Sequence, residues 1–279
     1  MNIDREALKE NLIKVSERPA LYIGESRLDY LERFYYGWGH LDTEKIYPWN
    51  ADFDIQRWLF INESASIAHA ATINGWLLLK RCYGNRQYAL NQFRRLLDEI
   101  PFSACDEYEL KDTVACQIYQ IYAHYHWNSG NYPVDAGIKG IIGKEEKDYE
   151  SIIPLVSRMI SEKYNKLWVY LHYEHYFLQV RFLYFSEESG WVDNAELIYK
   201  ANYYYDLLIL HGYASIIQNE RHKNHIITIY SEKGKINMAE KETDDDWHSI
   251  FNADADISTC DKSPFIKTYT EWKSSIINR

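Results

Sequence analysis

Cysteine is sparse and carries no pattern. Cys82, Cys105, Cys116 and Cys260 are widely spaced and form no C-x2-C pair. This excludes a disulfide framework as the basis of the fold and points to free thiols in a reducing compartment. Basic residues are outnumbered, with 31 Lys and Arg against 41 Asp and Glu and a formal net charge of -10. A nucleic-acid backbone binder would carry the opposite balance. No apolar run reaches the roughly 18 residues that a membrane helix needs, and the opening MNIDREALKENL has no apolar core of a secretory leader. These features predict a cytoplasmic protein with no membrane partner. Motifs of common chemistry are also missing: there is no H-E-x-x-H, no G-x-S-x-G, no Walker loop and no dinucleotide fingerprint. Gly137–Lys144 (GIKGIIGK) has the glycines of a phosphate loop, but Glu145 stands where Ser or Thr is required. No internal repeat is visible, and no cofactor or metal is implied.

What is present is aromatic: 25 tyrosines, 9 tryptophans and 10 phenylalanines make 16% aromatic content, beside 26% charged residues. That is the composition of an ordered globular chain, long enough for one large or two small domains. The stretch Glu17–His40 organises the first part. Arg18-Pro19 requires an extended residue before the proline, and Leu21, Tyr22 and Ile23 lead to Gly24. Then Leu28, Leu31, Phe34, Tyr35 and Trp38 recur at helical spacing. Ser26 or Glu25 stands at the entrance of this helix, and Gly37 and Gly39 at its exit. Arg18 is expected to bond within the helical domain, and Tyr22 and Trp38 to pack on the helix that bears Trp58. Further helices are predicted over residues 4–16, from Asp52, within 66–83 (with Gly75 as a weak point), over 86–100, and over 109–127. The first 127 residues are thus mostly helical, with no βαβ repeat.

Residues 128–148 hold four glycines and a proline and mark a boundary or loop. One more helix is predicted over 148–164. The period then changes: KLWVYLHYEHYFLQVRFLYFS reads as a β-hairpin turning near His172–His175. Residues 193–217 are ambiguous, and ILHGYASII could pair with HIITIYS as a second hairpin. A continuous helix there would have to tolerate Gly212 in its interior. From Ser231 to Asp261 nine acidic residues face three lysines, and PFIKTYTEWKSSII closes the chain as a helix. The fold class is α+β: a helical domain over 1–130, then an α+β domain over 131–279 with antiparallel hairpins, an acidic segment at 240–261 and a C-terminal helix.

Two features invite a chemical reading. His172-Tyr-Glu174-His175 and His222-x-x-His225 would supply zinc ligands if the two segments met at neighbouring turns. Residues three apart on a strand face opposite sides, however, and histidine is common in half-buried strands. The more economical reading of these pairs is structural, as it is for His124 and His126 near a helix end and for Cys116 on an apolar helix face. The second feature is the acidic segment. Asp244, Asp245 and Asp246 beside Trp247 and Phe251 form the surface expected of a protein that captures a basic partner, charge steering the encounter and aromatics anchoring it.

The opening Arg18-Pro-Ala-Leu-Tyr-Ile-Gly24 is similar to a segment of gyrase-type ATPases, but that match ends within seven residues. A second likeness extends over roughly residues 10–100. Arg18, Pro19, Tyr22, Gly24, Gly37, Trp58, Trp76, Ala89, Phe93, Leu96, Leu97 and Glu99 follow a pattern that resembles small bacterial immunity proteins of polymorphic toxin systems. Leu21 replaces the more usual methionine. Within that pattern Arg18, Pro19, Tyr22, Gly24, Trp38, Trp58 and Trp76 are expected to be architectural. The resemblance implies a protein without enzymatic activity, whose partner is a cognate toxin domain, such as a basic nuclease, and which occludes that domain's active site. Alternatives from other classes are a metal-dependent hydrolase using His172, His175, His222 and His225, and a regulatory or adaptor protein.

Overall fold

The structure is a computed structural model that describes residues 5–39, 51–67, 75–99, 148–174, 177–198, 200, 203–218, 224–242 and 264–278. The chain has an α+β fold, with a largely helical N-terminal half and a strand-rich C-terminal half built as an antiparallel sheet with hairpins. It divides into two compact units. Described residues up to 59, 75–99 and 264–271 fall in the first unit, and 60–67, 148–242 and 272–278 in the second.

In the first unit, helical spacing becomes apolar faces. Helix α1 (Arg5–Glu17) buries Leu8, Leu12 and Val15. Pro19–Tyr22 coils as one helical turn, α2, with Arg18 at ψ 58° and not extended. Pro19 is buried, but Leu21 and Tyr22 are 69% and 52% exposed. Arg18 is exposed as well. The expectation that Tyr22 packs on the Trp58 helix is therefore wrong: a single helical turn aims it outward. Helix α3 (Leu28–Gly39) buries Leu28, Leu31 and Tyr35 and runs through Gly37.

The entrance of α3 is held by a distant residue, not by Ser26 or Glu25. Asn85 accepts from the Asp29 amide through its side chain (2.8 Å) and from the Leu28 amide through its carbonyl (3.0 Å). It also donates to Asp29 Oδ1 (2.9 Å). Two of the helix's orphan N–H groups are satisfied in this way. Helix α4 (Ala51–Glu63) buries Ile55, Trp58 and Leu59.

Where one helix is expected within 66–83, the chain forms strand β1 (Ala65–Ile67) and then helix α5 (Gly75–Tyr83). Gly75 is the first residue of α5 and not a flaw within it. A Cβ there would lie 2.4 Å from the Asp52 carbonyl oxygen and 2.9 Å from Ile55 Cβ. The Gly75 amide donates to Asp52 Oδ1 at 2.8 Å. The missing side chain is what lets α4 and α5 approach. Helix α6 (Gln87–Glu99) completes the group, burying Ala89, Leu90, Phe93, Leu96 and Leu97. Trp76 stacks on Phe93 with ring centres 5.1 Å apart. Trp58 donates to Glu99 at 2.8 Å.

The second unit, among the described residues, is a six-stranded sheet with two helices packed on one face and the end of the C-terminal helix against the other. After a tight turn capped by Asp148, helix α7 (Ile152–Met159) ends five residues before the predicted stop at Tyr164. Strands β2 (Lys166–Glu174) and β3 (Phe177–Ser186) pair from Glu174↔Phe177 outward, which is the hairpin read from the sequence. Strand β4 (Gly190–Asp193) adds to β3. The ambiguous stretch is resolved as helix α8 (Tyr203–Gln218), with Gly212 inside it. A glycine there costs about 1 kcal/mol, but Leu207, Leu210, Tyr213, Ala214 and Ile217 are all buried in the core, and that burial outweighs the penalty. The second hairpin instead joins β5 (His225–Glu232) to β6 (Lys235–Glu242). Its two loop residues, Lys233 and Gly234, have φ of 51° and 78°, as a two-residue turn matched to strand twist requires. The order across the sheet is β1-β3-β2-β5-β6, with β4 also on β3. The C-terminal helix α9 (Pro264–Ile277) follows.

Among the described residues no helix is long and apolar enough to cross a membrane. The predicted helix over 109–127, the glycine-rich 128–147 stretch, Asp4, Cys105, Cys116, Cys260, His124 and His126 lie outside the described residues.

Candidate functional site

Register sorts the second unit's side chains onto two faces. Leu167, Val169, Leu171 and Tyr173 of β2, Leu178, Val180, Phe182 and Tyr184 of β3, and Ile227 and Ile229 of β5 belong to one core with α7 and α8. The alternate positions carry Trp168, Tyr170, His172 and Glu174 on β2 and Gln179 and Arg181 on β3. This second face is also buried at Tyr170, His172, Glu174, Gln179 and Arg181. Burial on both sides explains why β2 and β3 read as dense aromatic and aliphatic runs.

Three residues in a row on that face are linked. Tyr170 Oη lies 3.2 Å from His172 Nδ1, and His172 Nε2 lies 2.9 Å from Glu174 Oε1. Burial pushes the Tyr170 phenol above its ordinary pKa. Across the register from His172, Gln179 donates to the Glu63 carbonyl at 3.2 Å. Beside it Arg181 pairs with the Glu63 carboxylate and lies 4.0 Å from Asp193. Lys273 of α9 donates to the other Asp193 oxygen at 2.6 Å. Burial raises the Asp193 carboxyl, but the Arg181 charge and the Lys273 bond outweigh it and hold the group below the ordinary carboxylate range. Trp272 of α9 covers Tyr170, with ring centres 5.0 Å apart.

The helix-facing side has a polar set of its own. Ser66 Oγ lies 2.9 Å from His211 Nδ1, and the His211 ring meets the Phe60 ring at 4.7 Å. Burial drives the His211 pKa down to about 3, so this imidazole is neutral at physiological pH. Asn194 donates to Ser64 Oγ at 2.7 Å. Ser64 takes a left-handed φ of 46° between α4 and β1.

The register separates two of the four histidines. His172 pairs with Ile226 and Tyr173 with His225, so His172 and His225 point to opposite faces of the sheet. They cannot share a metal. His175 and His222 lie outside the described residues, and among the described residues no group of three metal-binding side chains converges. Asp244, Asp245, Asp246, Trp247 and Phe251 also lie outside the described residues. Trp58 and Trp76 are core residues of the first unit, Gly24 takes φ 85°, and Trp38 belongs to α3.

The feature closest to the predicted acidic surface is β6. It stands last in the sheet order, and among the described residues its strand neighbour is β5. All its residues except the half-buried Ile236 are exposed, and Met238 is 48% so. The two faces differ in sign. Register with β5 puts Ile236, Met238, Glu240 and Glu242 on the helix side, opposite Ser231, Ile229, Ile227 and His225. It puts Lys235, Asn237, Ala239 and Lys241 on the other. A signal for this was in the sequence: the glutamates occupy even positions and the lysines odd ones, which is period two. The Glu63–Arg181–Asp193–Lys273 group had no such signal, because its members lie far apart in the chain. Compared with the models of known protein families and with curated proteins, the chain matches none.

Proposed function

We propose that the protein is a binding protein of the immunity type, which acts in the cytoplasm, has no catalytic activity of its own, and neutralises a cognate toxin domain by covering its active site. The observation that carries this reading is β6, an exposed edge strand that leads straight into the acidic stretch 240–261. An edge strand offers main-chain donors and acceptors to another chain. The acidic run offers long-range attraction to a basic one, and the net charge of -10 has the same sense. Nucleic acid and membrane surfaces do not suit that charge. The buried Tyr170–His172–Glu174 line belongs to the interior of the sheet and gives a substrate no surface to meet. The register separates His172 from His225, which gives the hydrolase alternative less support than the binding reading.

The test is co-expression. The C-terminal domain of the large secreted protein encoded beside this gene is induced in a host cell, with and without this chain. The expected result is survival only with the chain present, and a stable complex on gel filtration. Charge reversal at Asp244–Asp246 is expected to weaken that complex at least about tenfold. Absence of both toxicity and complex overturns the reading. A regulatory or adaptor protein would form a complex without rescue.

A further inference from the structure

We infer that β6 is a strand-addition site for an extended segment of a partner protein that is basic and apolar on one face and acidic on the other. The inference deepens the binding-protein reading and rests on it for the partner's existence, but the register and exposure it uses belong to described residues. An edge strand needs some charge merely to escape aggregation, and lysines alone would serve. β6 does more than that. Its helix-side face presents Ile236 and Met238 followed by Glu240 and Glu242, and its opposite face presents Lys235 and Lys241 flanking Asn237 and Ala239. Opposite residues in neighbouring strands share a face. A strand laid along β6 therefore meets two aliphatic side chains and two carboxylates on one side, and two ammonium groups on the other.

Each position imposes a choice on the incoming strand. Lysine or arginine is favoured opposite Glu240 and Glu242, and glutamate or aspartate opposite Lys235 and Lys241. A β-branched or aliphatic residue is favoured opposite Met238 and Ile236, where 48% exposure leaves Met238 area still to bury. A strand with the two charge signs exchanged meets like charges at all four positions, which is destabilising. Backbone pairing supplies adhesion without selectivity, and the segregated charges supply the selectivity. The partner class is thus an amphipathic β-strand with its basic and acidic residues on opposite faces.

The probes are two peptides of identical composition. The matched one is Lys-Glu-Lys-Thr-Val-Thr-Val-Glu, written to run antiparallel from opposite Glu242 to opposite Lys235. The exchanged one is Glu-Lys-Glu-Thr-Val-Thr-Val-Lys. Each is titrated to millimolar concentration into the full chain while amide shifts and hydrogen exchange are followed. The expected result is tighter binding of the matched peptide by about tenfold, with the changes confined to β5 and β6. In the E240K/E242K double variant the preference should vanish, because each peptide then meets two opposite and two like charges. Both glutamates are exposed but each has a partner within the chain, so the melting temperature of the variant is compared with that of the parent first. Equal binding of the two peptides, no binding of either, or changes away from β5 and β6 would overturn the inference. The two readings fail separately. If co-expression fails while the peptide preference holds, only the immunity assignment falls. If E240K/E242K still rescues fully, strand addition falls and the immunity reading stands.

Discussion

The two units are built on different physical principles, and they respond differently to being read from sequence. The helical unit is held by apolar faces and aromatic contacts: Trp76 against Phe93, Trp58 against Tyr83, and Tyr35 against Trp76. Its polar contacts organise helix ends, as Asn85 does for α3 and Asp52 for α5. The sheet unit adds ionic and polar groups within its buried layers, with Glu63, Arg181, Asp193, His172, Glu174 and His211 all at low exposure. Burying charge is costly unless it is matched, so the sheet unit depends on partners that must all be in place. The helical unit buries charge too, at Asp54 and Arg81, each 2% exposed, so the contrast is one of degree.

The sharpest way to break that contrast is Arg181→Leu. Removing the cation between Glu63 and Asp193 should cost about 3–5 kcal/mol, read as a fall in the denaturant midpoint. A double variant that also removes the Glu63 charge, E63Q/R181L, should recover part of the loss. A cost below about 1 kcal/mol for Arg181→Leu would mean that the buried charges of the sheet unit are not what holds it.

Comparable in size over its whole range is an acid effect through His211. The unfolded chain takes up this proton near pH 6.5, whereas the folded chain holds it off until about 3. The unfolded state therefore binds more protons throughout that window. Stability falls as pH drops through it and is fully present above it. The size is about 1.4 kcal/mol for each unit by which the folded pKa is depressed. His211→Asn should flatten the stability-pH curve between these limits, whatever it does to stability at neutral pH. An unchanged slope would refute the assignment. Asp193 acts at the far end of the same limb. Its folded pKa is lowered, so its contribution is present above the unfolded value of about 3.9 and is lost as pH falls through the folded one.

The smallest of the three effects belongs to the helical unit, and its cause is steric. Gly75→Ala forces a methyl group toward the Asp52 carbonyl oxygen, 2.4 Å away. Helix α4 or α5 must shift, at about 1–3 kcal/mol. The loss should show little pH dependence between 5 and 8. A stabilising Gly75→Ala, as helix propensity alone would predict, would show that the two helices have slack.

Most helices were legible from residue order. Leu8 and Leu12, Leu28 and Leu31, or Phe93, Leu96 and Leu97 recur with the helical period whatever surrounds them, and each set is buried. The β2–β3 hairpin was legible for the same reason, from its change of period. Residues 203–218 were not. Gly212 and the β-branched isoleucines argued locally against a helix, and burial against the sheet overrode them. The elbow was misread because Pro19 starts a helical turn as readily as it ends an extended one, and nothing in Arg18–Gly24 itself says which. The candidate site divides along the same line. The alternation of Lys235, Glu240, Lys241 and Glu242 is written in the sequence. That these residues stand on an outer strand is not.

Local chemistry by itself determined the element types, the α+β class and the acidic balance, since these depend on neighbours within a few residues along the chain. Only the tertiary structure decided that His172 and His225 face apart, that Arg181 stands between Glu63 and Asp193, that Asn85 caps a helix 56 residues away, and that β6 is an edge. Each of these is set by strand register or by contact between distant segments. Such contacts form because they bury apolar surface as a whole, and no local sequence signal encodes which polar groups are carried together when that happens.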